Sequence, residues 1–143
     1  MARGSHNHQS RTTPGAPRHE VVLGVTGSIG AYKAADLVRR LREQGCGVTC
    51  VLTKEAVQFI TPLTLQALSE RKVYAELFSL EESAVIHTTL ADQADLVLIA
   101  PATANIIGKL ANGLADDLLT CVALAQRIAT AAGIEADRSI GTI

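Results

Sequence analysis

The stretch Glu20-Val21-Val22-Leu23-Gly24-Val25-Thr26-Gly27-Ser28-Ile29-Gly30-Ala31-Tyr32-Lys33 sets the terms for the rest of the chain. It opens with an apolar, β-branched run, the pattern of a strand buried on both faces of a parallel sheet. The run stops at Thr26-Gly27-Ser28. Apolar residues then recur with helical spacing at Ala31, Ala34, Ala35, Val38 and Leu41. A strand that turns through Gly and Ser into a helix makes an anion site. The backbone can approach a ligand closely, the first helical N–H groups lack partners within the helix, and the helix dipole favours negative charge. These residues suit a phosphate-bearing ligand and a tight packing turn equally well. They do not suit a dinucleotide. Gly24, Gly27 and Gly30 are spaced G-x-x-G-x-x-G rather than G-x-G-x-x-G. The second strand ends Val51-Leu52-Thr53-Lys54, and its nearest acid, Glu55, belongs to the next helix rather than to the strand end.

A chain of 143 residues is one domain, and its composition says what fills it. Apolar residues make up 48% while aromatics are 3% and Trp is absent, so the core is Ala, Leu, Val and Ile, as in α/β layers. A formal net charge of −1 gives no electrostatic case for nucleic acid or an anionic membrane as partner. No apolar run approaches a membrane span and no signal-type segment opens the chain, so a cytoplasmic protein is expected. Cys46, Cys50 and Cys121 agree with a reducing compartment. Cys46 and Cys50 are separated by about 13 Å of extended chain, too far for a disulfide, and without a C-x-x-C no structural metal site is expected.

Residues 1–18 are rich in Gly, Ser, Thr, Pro, His and Arg and read as a disordered tail or tag remnant, so His6 and His8 receive no ligand role. A first helix is expected from about Gly30 to Gln44, with Gly45 just past its end. Arg39, Arg40 and Arg42 near its end read as a solvated face rather than a nucleic-acid patch. Val48–Leu52 is strand two, after which Thr53 caps a helix with Glu55 in its first turn. Thr61-Pro62 starts another helix, carrying Leu63, Leu65, Ala67 and Leu68. Val73–Phe78 reads as a short third strand. Between Glu81 and Gln93 the pattern is weak: Glu81 and Glu82 face solvent, and a helical turn starts near His87-Thr88-Thr89-Leu90. Ala94–Ala100 is the fourth strand, stopped by Pro101. Thr103 caps a helix over Ile106–Ala111 that Asn112-Gly113 ends, and Asp116 and Asp117 open the last helix. The order β-α-β-α-β-α-β-α-α with right-handed crossovers predicts an α/β fold, a three-layer Rossmann-like (flavodoxin-like) parallel sheet with helices on both faces. Ligands bind such sheets beyond the carboxyl ends of the strands. Three polar loops converge there: Gly27-Ser28, Thr53 and Thr103-Ala104-Asn105.

Four motifs now stand in order: Gly24-Val25-Thr26-Gly27-Ser28-Ile29-Gly30-Ala31-Tyr32-Lys33, Phe59-Ile60-Thr61-Pro62-Leu63, Pro101-Ala102-Thr103-Ala104-Asn105 and Gly113-Leu114-Ala115-Asp116-Asp117-Leu118-Leu119. Together, over about Val21 to Ala125, they closely resemble the homo-oligomeric flavin-containing cysteine decarboxylases, and most closely the branch that acts on phosphopantothenoylcysteine in coenzyme A biosynthesis. The resemblance implies an FMN-binding domain over residues 19–125. Gly27, Ser28, Ile29 and Thr53 would face the ribityl phosphate, while Phe59, Thr103, Ala104, Asn105 and Ile106 would line the flavin. It also picks out His87, which reads as the only histidine of the ordered domain, as the catalytic residue. At a helix start, the dipole would favour its neutral, basic form. The implied substrate is a small molecule ending in a cysteine carboxylate. Hydride transfer from its β-carbon to FMN gives a thioaldehyde, and CO₂ leaves as an enethiolate forms. Reduced flavin and a protein acid then return the product to a thiol, giving phosphopantetheine. A homo-oligomer, a trimer or a multiple of trimers, is implied as well.

Beyond Ala125 the resemblance stops. The family continues with another strand, a P-x-M-N-x-x-M-W segment whose Asn grips the substrate carboxylate, and a later Cys. Residues 126–143 instead read as a divergent helix end and tail, and Met1 is the only methionine. The sheet is therefore expected to be truncated after its fourth strand, leaving that strand as an apolar edge. The alternatives are a non-catalytic FMN-binding subunit or inactive remnant, a peptidyl-cysteine decarboxylase or flavin prenyltransferase on a similar scaffold, and an unrelated nucleotide-binding module. Tyr32-Lys33 and Thr103-Ala104-Asn105 favour the coenzyme A branch.

Overall fold

The apolar run of the first strand is buried on both sides because it lies at the centre of the sheet. The computed structural model describes residues 15–75 and 80–131, the side chains of residues 80–84 and 127–131 excepted. In it β1 (His19–Val25) lies between β2 (Cys46–Leu52) and β4 (Leu96–Ile99), and β3 (Tyr74–Ala75) pairs with the far side of β2. Every pairing is parallel, with Leu23 opposite both Cys50 and Leu98. The chain builds outward from β1 to β3 on one side and then crosses to β4 on the other. The switch point therefore falls between the carboxyl ends of β1 and β4.

Alternation along β1 divides the core. Leu23 and Val25 point to one face and pack with Val38 of α1 (Lys33–Glu43), Leu65 of α2 (Pro62–Ser69), and Val48 and Leu52 of β2. Val22 points to the other face and packs with Leu90 of α3 (Leu80–Gln93), Ile106 of α4 (Ala104–Ala111), and Leu119 and Val122 of α5 (Leu118–Ala131). The result is the expected three-layer α/β arrangement. Each fully buried Leu or Val contributes about 1.5–3 kcal/mol relative to exposure. Gly24 lies on the α5 side, where a Cβ would come 2.4 Å from Leu119 Cδ1, so a bare backbone lets α5 close onto the sheet. Cys50 is buried in the core, and burial pushes its thiol up to about 12. None of Cys46, Cys50 and Cys121 is in a disulfide.

Local chemistry explains most boundaries. Thr61 caps α2 by accepting from the Thr64 N–H at 3.3 Å, with Pro62 at the first position. Gly45 follows α1 with φ +84°, the left-handed conformation that favours glycine. Arg39 pairs with Asp36 and Glu43, each at 2.7 Å, and Arg40 with Asp36 at 2.7 Å, so this arginine cluster is an ion-paired helix face.

Several expectations need correction. The first helical turn is 3₁₀ (Ile29–Tyr32), and α1 proper begins at Lys33. Thr53 is followed by a single 3₁₀ turn (Ala56–Gln58), not an α-helix. His19 opens β1, so His87 is not the only histidine of the ordered domain. α3 already begins at Leu80, which puts His87 mid-helix; the dipole argument for its neutral form lapses, because that effect fades within the first turn. Within the described residues β3 keeps only Tyr74 and Ala75 of the expected strand. Residues 1–14, Phe78, the side chains of Glu81 and Glu82, and the tail after Ala131 lie outside what is described. Among the described residues β4 pairs only with β1 and is a sheet edge, and no helix is long and apolar enough to cross a membrane.

The fit of α5 against Gly24 makes a prediction. Gly24→Ala should destabilise the chain by about 1–3 kcal/mol in urea denaturation, because Leu119 is buried and cannot swing away. Adding it to Leu119→Ala should cost much less than adding it to the parent chain.

Candidate functional site

At the carboxyl end of the sheet, a buried hydroxyl joins loops from both sides of the switch point. Thr26 Oγ1 donates to the Pro101 carbonyl and accepts from the Thr103 N–H at 3.1 Å. Thr103 in turn caps α4, its hydroxyl accepting from the Ile106 N–H at 3.3 Å. On the β2 side, the Thr53 N–H donates to the Val25 carbonyl at 3.1 Å, and the Thr53 hydroxyl accepts from the Ala56 N–H at 3.3 Å. Gly27 locks the same two loops together. A Cβ there would lie 2.4 Å from Glu55 Cβ and 2.8 Å from the Glu55 carbonyl carbon. The glycine is thus required for loop packing, whatever ligand the turn also serves.

These loops enclose a cleft of about 290 Å³. Gly27, Thr53, Thr103, Asn105 and Ile106 line it, together with Thr26 and three charged residues, Glu55, Lys109 and Asp117. Asn105 and Lys109 are four apart on α4 and share a face. Lys109 Nζ sits 3.0 Å from Asp116 Oδ1 and 3.3 Å from Asp117 Oδ2. These hydrogen bonds, chiefly the one to Asp116, hold the ammonium above the ordinary lysine range, so it stays charged. Asp117 is fixed by a second duty at the start of α5. Its Oδ1 accepts from the Thr120 N–H at 2.7 Å, and its own N–H donates to the Thr120 hydroxyl at 3.2 Å.

The donor set fits a phosphorylated, planar ligand. The Ser28 hydroxyl and the Asn105 amide make no hydrogen bond among the described residues. The Thr53 hydroxyl keeps its proton free to donate, since it acts as an acceptor toward Ala56. The amino-terminal turn at Ile29 and the amino terminus of α4 both open at this end of the sheet.

The remaining expected site residues lie off the cleft lining. Ser28 adjoins Gly27, Ala104 is exposed at the first position of α4, and Ile29 and Phe59 are 82% and 46% exposed. His87 is half-buried on α3, which packs against α5, and does not line the cleft. Sequence reasoning missed Thr26, Glu55, Lys109 and Asp117 as cleft residues. The i, i+4 relation of Lys109 to Asn105 was the one local signal for any of them. No group of three or more His, Cys, Asp or Glu able to hold a metal occurs among the described residues.

Residues 9–131 match the flavoprotein family. The chain belongs to that family. Over 106 residues it is 50% identical to the Coenzyme A biosynthesis bifunctional protein CoaBC of Bacillus subtilis (strain 168), covering 73% of this chain and 26% of that protein. It is also 50% identical, over 107 residues, to a probable phosphopantothenoylcysteine decarboxylase of Streptococcus mutans serotype c (strain ATCC 700610 / UA159), covering 74% of this chain and 60% of that one. The chain thus spans about a quarter of the bifunctional relative and three-fifths of the shorter one. Among solved structures, the FMN-dependent cysteine decarboxylase TvaF from thioviridamide biosynthesis superposes with a TM-score of 0.70 at 28% identity, over 76% of this chain and 67% of that one.

Replacing Thr26 by Val keeps the shape but strands the Thr103 N–H and the Pro101 carbonyl. It should cost about 1–3 kcal/mol in chemical denaturation, whereas Thr26→Ser should retain most of the stability.

Proposed function

We propose that the cleft binds FMN and that the chain carries out FMN-dependent decarboxylation of the cysteine moiety of phosphopantothenoylcysteine. The observation that carries this reading is the meeting of Gly27, Thr53, Thr103 and Asn105 in one cleft at the switch point of a flavoprotein-family sheet. Gly27, Ser28, Ile29 and Thr53 take the phosphate, through backbone N–H groups at the amino-terminal turn and the two hydroxyls. Thr103, Ala104, Asn105 and Ile106, with Phe59, flank the ring. The half identity to coenzyme A biosynthesis proteins favours the small-molecule substrate over a peptide.

When bound, FMN supplies the hydride acceptor that oxidises the cysteine β-carbon. The protein binds the substrate, excludes water and moves protons. His87 is the proton acceptor in this reading, although within one chain it lies away from the cleft. A homo-oligomer, a trimer or a multiple of trimers, brings His87 of one copy to the cleft of another. Large apolar side chains exposed after β1 and β2 support such an assembly: Ile29, Tyr32, Phe59 and Leu63. This reading carries a cytoplasmic location, a reducing compartment in which cysteines outside disulfides, as Cys46, Cys50 and Cys121 are, are ordinary.

The position of His87 also favours a second reading, a non-catalytic FMN-binding subunit. A decarboxylation assay separates the two. With FMN bound, the chain should release CO₂ from phosphopantothenoylcysteine, and His87→Asn should lower turnover by about 100-fold or more while retaining FMN. Bound FMN without turnover in the parent chain would favour the second reading. Unchanged turnover in the variant would remove His87 from the chemistry.

A further inference from the structure

Lys109 stands out because the fold spends two carboxylates, Asp116 and Asp117, on it. It is the one cation among the described residues lining the cleft, and its side chain is 23% exposed. Asp116 and Asp117 engage two of its three ammonium protons, and no third partner occurs among the described residues. Asp117 cannot follow the lysine if it moves. Its side chain is 8% exposed and is held by the Thr120 N–H and hydroxyl at 2.7 and 2.8 Å. The ammonium is therefore anchored, one helical turn beyond Asn105 on the same face of α4, with one of its three protons left for a ligand of the cleft it lines.

An anchored cation beside a redox-active ring acts on its charge. The ring of fully reduced flavin carries negative charge near neutral pH, whereas the oxidised ring is neutral. A fixed positive charge beside it therefore binds the reduced form more tightly. We infer that Lys109 is the residue that tunes the reduction potential of the bound flavin, set in place by Asp116 and Asp117. This rests on the reading of the cleft as an FMN site. Glu55, the other charged group of the lining besides Asp117, lies against Gly27, in the turn that this reading gives to the phosphate.

The carboxylates make the effect two-signed. Removing the cation should disfavour reduced FMN. Removing the charge of Asp116, which is 62% exposed and does not cap α5, should leave the ammonium less compensated and favour reduced FMN. A merely structural ion pair predicts no such reversal.

The test is the midpoint potential of FMN bound to the whole chain, measured by reductive titration against reference dyes. Lys109→Gln should weaken reduced FMN relative to oxidised FMN by about tenfold, a shift of about 30 mV to more negative potential. Asp116→Asn should shift it the other way, by about threefold or about 14 mV. Lys109→Arg should stay near the parent value. Should Lys109→Gln not fold, the positive shift in Asp116→Asn still decides. Unchanged potentials, or shifts of one sign in both variants, would overturn the role of Lys109 while leaving the FMN site standing. Failure of the parent chain to take up FMN would overturn the site and this inference together.

Discussion

The Thr26 hydroxyl, buried at the carboxyl end of the central strand, holds the cleft together. It donates to the Pro101 carbonyl and accepts the Thr103 amide, and so spans the switch point between β1 and β4. Everything on the α4 side depends on that link. Thr103 caps α4 only while its backbone is held there, and α4 carries Asn105, Ile106 and Lys109. Neither loop could satisfy these buried polar groups alone, because a stranded buried donor or acceptor costs about 1–3 kcal/mol.

Two missing side chains do comparable work. Gly24 lets Leu119 seat against β1, and that contact sets how closely α5 approaches the sheet. The start of α5 then falls at the cleft, where Asp117 both caps the helix and anchors Lys109. Gly27 lets the loop after β1 touch the loop after β2 at Glu55. Packing and ligand binding are therefore not rival explanations of the glycines. Close approach of backbone to backbone builds the cleft whose polar groups remain for a ligand. The cleft's lining is not positive, with the two carboxylates Glu55 and Asp117 against the one ammonium of Lys109. An anionic group would be held there chiefly by hydroxyl and backbone donors rather than by net positive charge.

The parts of the fold that were legible in the sequence rest on local chemistry. β1 and β2 are continuous apolar runs. Thr61 and Thr103 are cap residues in front of helices, and Gly45 and Gly113 have the positive φ of helix ends. The convergence of Gly27, Thr53 and Asn105 followed from topology alone. α3 was not legible because Thr88 and Thr89 interrupt its apolar stripe, and only Leu90 and Ala91 of its described side chains are deeply buried. Missing its start placed His87 at a helix terminus it does not occupy. Thr26 was invisible as a site residue because its partners lie 75 and 77 positions away. Ile29 and Phe59 were expected at the ligand from motif position, yet in a single chain they project outward, a placement that spacing along the sequence does not encode.

In the proposed function the turn after β1 and the Thr53 loop hold the phosphate of FMN. The most direct test compares FMN with riboflavin, which lacks the phosphate, in equilibrium titrations of the chain followed by flavin fluorescence. FMN should bind saturably, with riboflavin weaker by at least about tenfold, since even one charge-assisted hydrogen bond to the phosphate is worth about 1.5–3 kcal/mol. Equal affinity for the two, or no binding of either, would contradict this reading.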